Sequence, residues 1–149
     1  MAYLSRRYDS LMVIFTIDGP AVPKQRPRIG VCGRTYTPRK THDYESKVGW
    51  SYLQVYKTKK KKFVEGIPLK VIIEVYESVP NSWSKSKKTQ ALNREIFPVR
   101  KDVDNIAKAI LDGLNGVAYD DDGQIVDLHI SKQYSTNSYV VVKITDNIA

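Results

Sequence analysis

Seven aspartates stand between residues 102 and 127, at positions 102, 104, 112, 120, 121, 122 and 127, and one lysine, Lys108, is the only basic residue among them. Carboxylates in this number, with no thiol or imidazole between them, are hard oxygen donors that select Mg2+ or Mn2+ over zinc. An ion held this way polarises a phosphoryl oxygen and lowers the pKa of a bound water. A pair of ions would also stabilise both the entering and the leaving oxygen of an in-line displacement. Lys108, one helical turn beyond Asp104, is placed to stabilise the charge added in the transition state or to orient the attacking water. This chemistry requires Asp102, Asp104 and one or two of Asp120, Asp121 and Asp122 to converge. Two carboxylates about 4 Å apart repel by roughly 4 kcal/mol at an effective dielectric of 20, so such convergence calls for a cation.

The elements that must position these groups follow from periodicity. Residues 103–115 form the clearest helix, ended by Gly116. At 100° per residue Asp104, Lys108, Asp112 and Asn105 fall on one stripe, while Val103, Ile106, Ala107, Ile110, Leu111 and Leu114 form an apolar face able to dock on a sheet. Strands are expected over residues 11–17, 69–77, 124–134 and 139–145. The last two are joined by the turn residues 135–138 and so are antiparallel. A second helix is expected from about 41 to 58, with Thr41 as its cap, and a hairpin or glycine-kinked loop over 29–37. Residues 81–94, which include Trp83, fit either a short helix or a loop. The fold class is α+β: a single domain over residues 1–149 with a mixed or antiparallel sheet of four or five strands and two principal helices.

Each aspartate also has an ordinary use. Asp102 or Asp104 could cap the helix and complement its dipole, the residues 120–123 could form a polar turn, and an i,i+4 surface pair with Lys108 is the favoured job for Asp112. As a set in a basic protein they favour the metal reading. The chain carries 24 basic and 16 acidic residues, net +8; the window 102–127 is −6, so the rest is +14. Such a body attracts polyanions, and an acidic island inside it is the place for a phosphate-gripping cation. A calcium loop is excluded because Ala118 and His129 would occupy its first and last positions. No phosphate-binding glycine loop and no G-x-S-x-G is present. With one cysteine, Cys32, taken as an apolar filler, and two histidines, there is no disulfide and no zinc site; no run approaches a membrane span, and a cytoplasmic location is expected.

The sequence resembles the RusA-type Holliday-junction resolvases, including phage and prophage versions. The resemblance rests on D-x-D-N-x-x-K at 102–108, Asp112-Gly-Leu-Asn-Gly-Val, and Asp121-Asp-Gly-Gln-Ile-Val126. Two N-terminal signatures support it: Gly19-Pro-Ala-Val-Pro-Lys-Gln-Arg-Pro-Arg28, and Tyr36-Thr-Pro38 followed by Thr41 and Tyr44-Glu45. It runs from about residue 14 to the C-terminus, leaving residues 1–9 as an extra tail. The resemblance implies a metal-dependent endonuclease that acts as a homodimer on four-way DNA junctions in recombination and repair, leaving 5′-phosphate and 3′-hydroxyl ends. Its catalytic residues would be Asp102, Asp104, Asp122 and Lys108, with Asp121 a further metal ligand and Mg2+ (or Mn2+) the cofactor; no organic cofactor and no membrane partner are expected. Asp120 is an additional aspartate outside the motif.

Lys24, Arg26 and Arg28 in a proline-stiffened arm, and Lys85, Lys87, Lys88 and Arg94 in the middle segment, are the DNA-contact candidates, together with the lysine-rich residues 57–62. Contacts of this kind position the backbone without reading sequence. Trp83 fits either a base-stacking role or a loop anchor. Two competing functions remain open: a branched-DNA-binding protein without catalysis, and a less selective structure-specific nuclease.

Overall fold

The computed structural model describes residues 10–56 and 62–148. The tail 1–9 and most of the lysine-rich tract, 57–61, lie outside the described residues.

Three strands alternate so regularly that one face of each is fully apolar. In β1 (Met12–Asp18) the inward residues are Val13, Phe15 and Ile17; in β4 (Leu69–Ser78) they are Leu69, Val71, Ile73 and Val75; in β6 (Tyr139–Thr145) they are Val140, Val142 and Ile144. With β5 (Ile125–Ser135) they make a four-stranded sheet in the order β1-β6-β4-β5. Two long helices cover the apolar face: α1 (Arg39–Val55) through Tyr44, Val48 and Tyr52, and α3 (Val103–Leu114) through Ile106, Ala107, Ala109, Ile110 and Leu114. The helices cross closely because glycine stands on both sides. A Cβ on Gly113 would lie 2.7 Å from the Glu45 carbonyl oxygen, and one on Gly49 would lie 3.0 Å from the Gly113 carbonyl oxygen.

The fold is α+β, as expected, with a mixed sheet. A third helix, α2 (Lys85–Leu92), occupies the middle segment, its first turn capped by the Ser84 hydroxyl, which accepts from the Lys87 N–H at 3.2 Å. The loop at 29–37 is a small hairpin of β2 (Arg28–Ile29) and β3 (Thr35–Tyr36). Cys32 is exposed at its tip, so it is not a filler.

Two expectations need correction. The strands β5 and β6 do run antiparallel, but they are not neighbours: β4 lies between them, parallel to β5 and antiparallel to β6. Spanning two strand spacings takes about 10 Å, within reach of three linking residues, so a short turn does not require a hairpin. The turn crosses the end of β4, where the Ser78 N–H donates to the Ser138 hydroxyl at 3.0 Å. Parallel pairing of β4 with β5 needs a long crossover. Residues 79–124 supply it, and α3 is therefore the helix that returns the chain from the end of β4 to the start of β5.

The second correction concerns Thr41. Helix α1 starts two residues earlier, after Pro38, whose fixed φ suits entry into the first turn. Thr41 is buried, and its hydroxyl accepts the Gln25 N–H at 3.0 Å, which fastens the arm to α1.

Candidate active site

Helix α3 carries the stripe expected of it. Asp104 and Lys108 are exposed and make no ion pair among the described residues. Asp102 occupies the N-cap position in extended conformation, yet its carboxylate makes no capping hydrogen bond. It accepts instead from the Asn105 side-chain amide at 3.4 Å, which holds it on the side of the helix where Asp104 begins. The purely structural role of a cap is thus unfilled, and the motif asparagine orients the first aspartate.

The backbone before Asp102 is fixed with unusual firmness. Lys101 sits in the left-handed region at φ 64°, a conformation that costs a non-glycine residue about 1–2 kcal/mol. Its ammonium donates to the Ala21 carbonyl at 2.8 Å and to Glu77 at 2.9 Å, and its own carbonyl accepts from the Lys132 ammonium at 2.7 Å. Strain held by several bonds from neighbouring strands is a feature of functional sites.

At the other end of α3, Gly116 turns the chain at φ 74°, and buried Tyr119 anchors the following loop through its hydroxyl, which donates to the Leu111 carbonyl at 2.7 Å. The aspartate turn is then shaped by two amides. The Gln124 side-chain oxygen accepts from the N–H groups of Asp120 and Asp121, both at 3.3 Å, while its nitrogen donates to the carbonyls of Val64 and Ile67. Asn115 accepts the Asp122 N–H at 3.0 Å. Gly123 leaves room for the Asp121 carboxylate, one oxygen of which would lie 2.7 Å from a Cβ there and would have to shift.

The three turn aspartates differ. Asp120 is ion-paired with Lys62. Asp122 has its carboxyl held above the ordinary aspartate value, first by burial and then by the charges of Asp112 and Asp121. A carboxyl whose folded pKa is raised weakens the fold once it ionises. The penalty is absent below the unfolded value near 3.8 and complete above the raised folded value. In metal-free protein, Asp122→Asn is therefore expected to raise thermal stability at neutral pH and to lose that advantage as the pH falls through the ordinary aspartate range. Melting curves across pH check this, and a variant less stable than the parent at pH 7 would contradict it.

Asp112 departs from expectation. Its partner is Lys24, not Lys108. Lys24 also reaches Glu45 at 2.9 Å, and its backbone N–H donates to the Asn105 carbonyl at 2.9 Å. Burial alone would lower the Lys24 pKa, but its bonds to Asp112 and Glu45 outweigh that and raise it, so it stays charged. Lys24, expected on DNA phosphate, is a brace that pins the arm across α1 and α3. Each member of the brace belongs to one of the quoted signatures, a signal that the reading of Lys24 as a phosphate contact left unused.

The other basic candidates are placed more simply. Arg26 and Arg28 are exposed on the arm whose Lys24 N–H donates to the Asn105 carbonyl of α3. Lys85 is exposed, Lys88 is half-buried, and the Lys87 ammonium lies 3.9 Å above the Trp83 ring. Arg94 is exposed, and its charge is felt by Glu74 and Tyr76 on the outward face of β4.

The expected convergence is not met within one chain. Asp102 and Asp104 stand at the N-terminus of α3 and Asp121 and Asp122 beside its C-terminus, about 18 Å apart along a 12-residue helix. Among the described residues no three Asp, Glu, His or Cys side chains are grouped closely enough to hold a metal ion. The donor chemistry suits a hard cation, but the arrangement in a single chain does not. No helix among the described residues is long and apolar enough to cross a membrane.

A cation-rich α+β fold that sets carboxylates and an exposed lysine on a rigid helix has the equipment of a protein that acts on phosphodiesters. The chain belongs to the endodeoxyribonuclease RusA family, whose match covers residues 18–145. It is also similar to the uncharacterized protein YqaN of Bacillus subtilis (strain 168), 34% identical over 138 residues that cover 89% of this chain and 94% of the relative. Family membership implies the nuclease activity of a Holliday-junction resolvase.

Proposed function

We propose that the protein is a divalent-metal-dependent endonuclease that resolves four-way DNA junctions by paired hydrolytic nicks, acting as a homodimer. The observation that carries this reading is the α3 stripe: Asp104 and Lys108 exposed, with no ion pair among the described residues, on a helix whose opposite face is locked in the core. Asp102, Asp104, Asp121 and Asp122 are the proposed ligands and Mg2+, or Mn2+, the proposed cofactor. When bound, such an ion supplies charge neutralisation and an activated water at the phosphodiester. Lys108 stabilises the transition state, and Arg26 and Arg28 hold the DNA backbone beside it.

A homodimer answers the separation of the two acidic groups. Among the described residues strand β5 is an edge of the sheet, with Val126 61% and Leu128 41% exposed along it. The Asp122 turn precedes its start, and Lys132, which holds the Lys101 carbonyl, lies near its end. Antiparallel pairing of two β5 edges about a twofold axis would therefore bring Asp121 and Asp122 of one protomer toward the Asp102–Asp104 end of its partner. It would also cover an edge that otherwise invites adventitious pairing. Two such composite sites match the twofold demand of cutting two strands of a four-way junction.

The test is a panel of end-labelled substrates in Mg2+. The four-way junction is expected to be nicked symmetrically in two opposed strands, and linear duplex and flap to be spared. Branched-DNA binding without nicking would support the non-catalytic reading, and cleavage of all substrates alike would support the less selective nuclease.

A further inference from the structure

Where β4 and β5 end, a half-open cleft of about 520 Å3 lies against the loop that leads into Asp102. That volume lies within the range of about 300–1,000 Å3 usual for ligand pockets. Its walls include Trp83, Tyr134 and Val99, and its rim carries Arg100 and Lys101. The two rings meet edge to face, centroids 5.2 Å apart and planes at 68°, so a flat ligand stacking on one would meet the other edge-on. Val99 is 90% exposed at the mouth, an apolar side chain the fold itself does not use.

The electrostatics select the class of ligand. The one carboxylate in the wall, Glu77, is neutralised by Lys101 at 2.9 Å, so no free negative charge repels a polyanion. Lys87 sits over the indole, and exposed Arg100 adds a second cation nearby. Aromatic walls with cations beside them suit a base and its flanking phosphates. The wall is also pre-set, because the carbonyls of Arg100 and Lys101 are both held by the Lys132 ammonium, at 3.1 and 2.7 Å.

We propose that this cleft receives one unstacked nucleobase of the branched DNA, stacked against Trp83, beside the phosphate addressed by Asp102 and Asp104. The proposal rests on the nuclease reading and adds to it a base-binding subsite. Continuous duplex keeps its bases stacked and does not fill the cleft, whereas a branch point offers bases that can leave the stack. The subsite thus favours branched over linear DNA without reading sequence through hydrogen bonds.

The experiment uses full-length protein in EDTA, where binding is measured apart from cutting. Trp50, 64% exposed on α1, is replaced by Phe so that Trp83 is the sole tryptophan. Titration with a four-way junction is expected to quench Trp83 emission in proportion to binding, and duplex of the same sequence to leave it unchanged. By anisotropy of a labelled junction, Trp83→Ala should weaken binding about 5- to 150-fold, the range for loss of one base–aromatic stack, and Trp83→Phe should hold it within about threefold. Unchanged Trp83 emission with the junction bound, or full affinity in folded Trp83→Ala, overturns the subsite and leaves the nuclease reading standing. If Trp83→Ala does not fold, the quenching and the Trp83→Phe affinity decide. A Trp83→Ala protein that loses its dimer would assign the cleft to a second copy and overturn the proposal. Failure of the unmodified protein to bind any junction overturns both readings.

Discussion

Asp104→Asn is expected to abolish cleavage of a synthetic four-way junction in Mg2+, by about 100- to 1,000-fold or more, while junction binding in EDTA stays near that of the parent. The substitution keeps size and shape and removes only charge and ligand strength. Asp104 is exposed and makes no ion pair among the described residues, so no partner is stranded by the change. It lies in the first turn of α3, where a carboxylate complements the helix dipole by about 0.3–1 kcal/mol. Against that small loss stands relief of repulsion from Asp102, so thermal stability should be unchanged or slightly raised. Cleavage at the parental rate would remove Asp104 from the site. Lost cleavage together with a marked drop in melting temperature would return it to a structural role.

Much of the scaffold was legible because local pattern and final environment agree. Apolar, β-branched runs in β1, β4 and β6, the first two bounded by glycine and proline, mark strands, and the wide apolar arc of α3 marks a helix docked on a sheet. Only Val103, 38% exposed, and Ala109, buried, depart from that projection. The order of the strands was not legible. A turn at 135–138 is compatible with neighbouring strands and equally with a step across β4, and only the long-range pairing of β4 with β5 decides between them.

The site divides the same way. Residue type identified the aspartates and Lys108, but their spacing in sequence does not say that α3 separates Asp102 and Asp104 from Asp121 and Asp122. The local i,i+4 rule assigned Asp112 to Lys108, an interaction worth only about 0.2–0.5 kcal/mol. A part-buried ion pair with Lys24, 88 residues away, prevails over it. Likewise Asp120 finds Lys62 across 58 residues, a pairing no local rule contains.

That separation leads to the second large effect. If each site takes Asp102, Asp104 and Lys108 from one protomer and Asp121 and Asp122 from the other, two dead variants can make a live enzyme. Asp104→Asn and Asp122→Asn homodimers each carry a defect in both sites. In their heterodimer both defects fall in one composite site, and the other site is wholly parental. Complementation of this kind follows from a composite site repeated by twofold symmetry.

The decisive measurement is therefore junction cleavage by the heterodimer of Asp104→Asn and Asp122→Asn, co-expressed with different tags and purified through both. The account predicts that it nicks a four-way junction in Mg2+ with about half the parental number of active sites, cutting one strand per binding event, while both parent homodimers bind without cutting. A heterodimer that binds the junction and is as inactive as its parents would contradict the account, because each chain would then hold a whole site of its own.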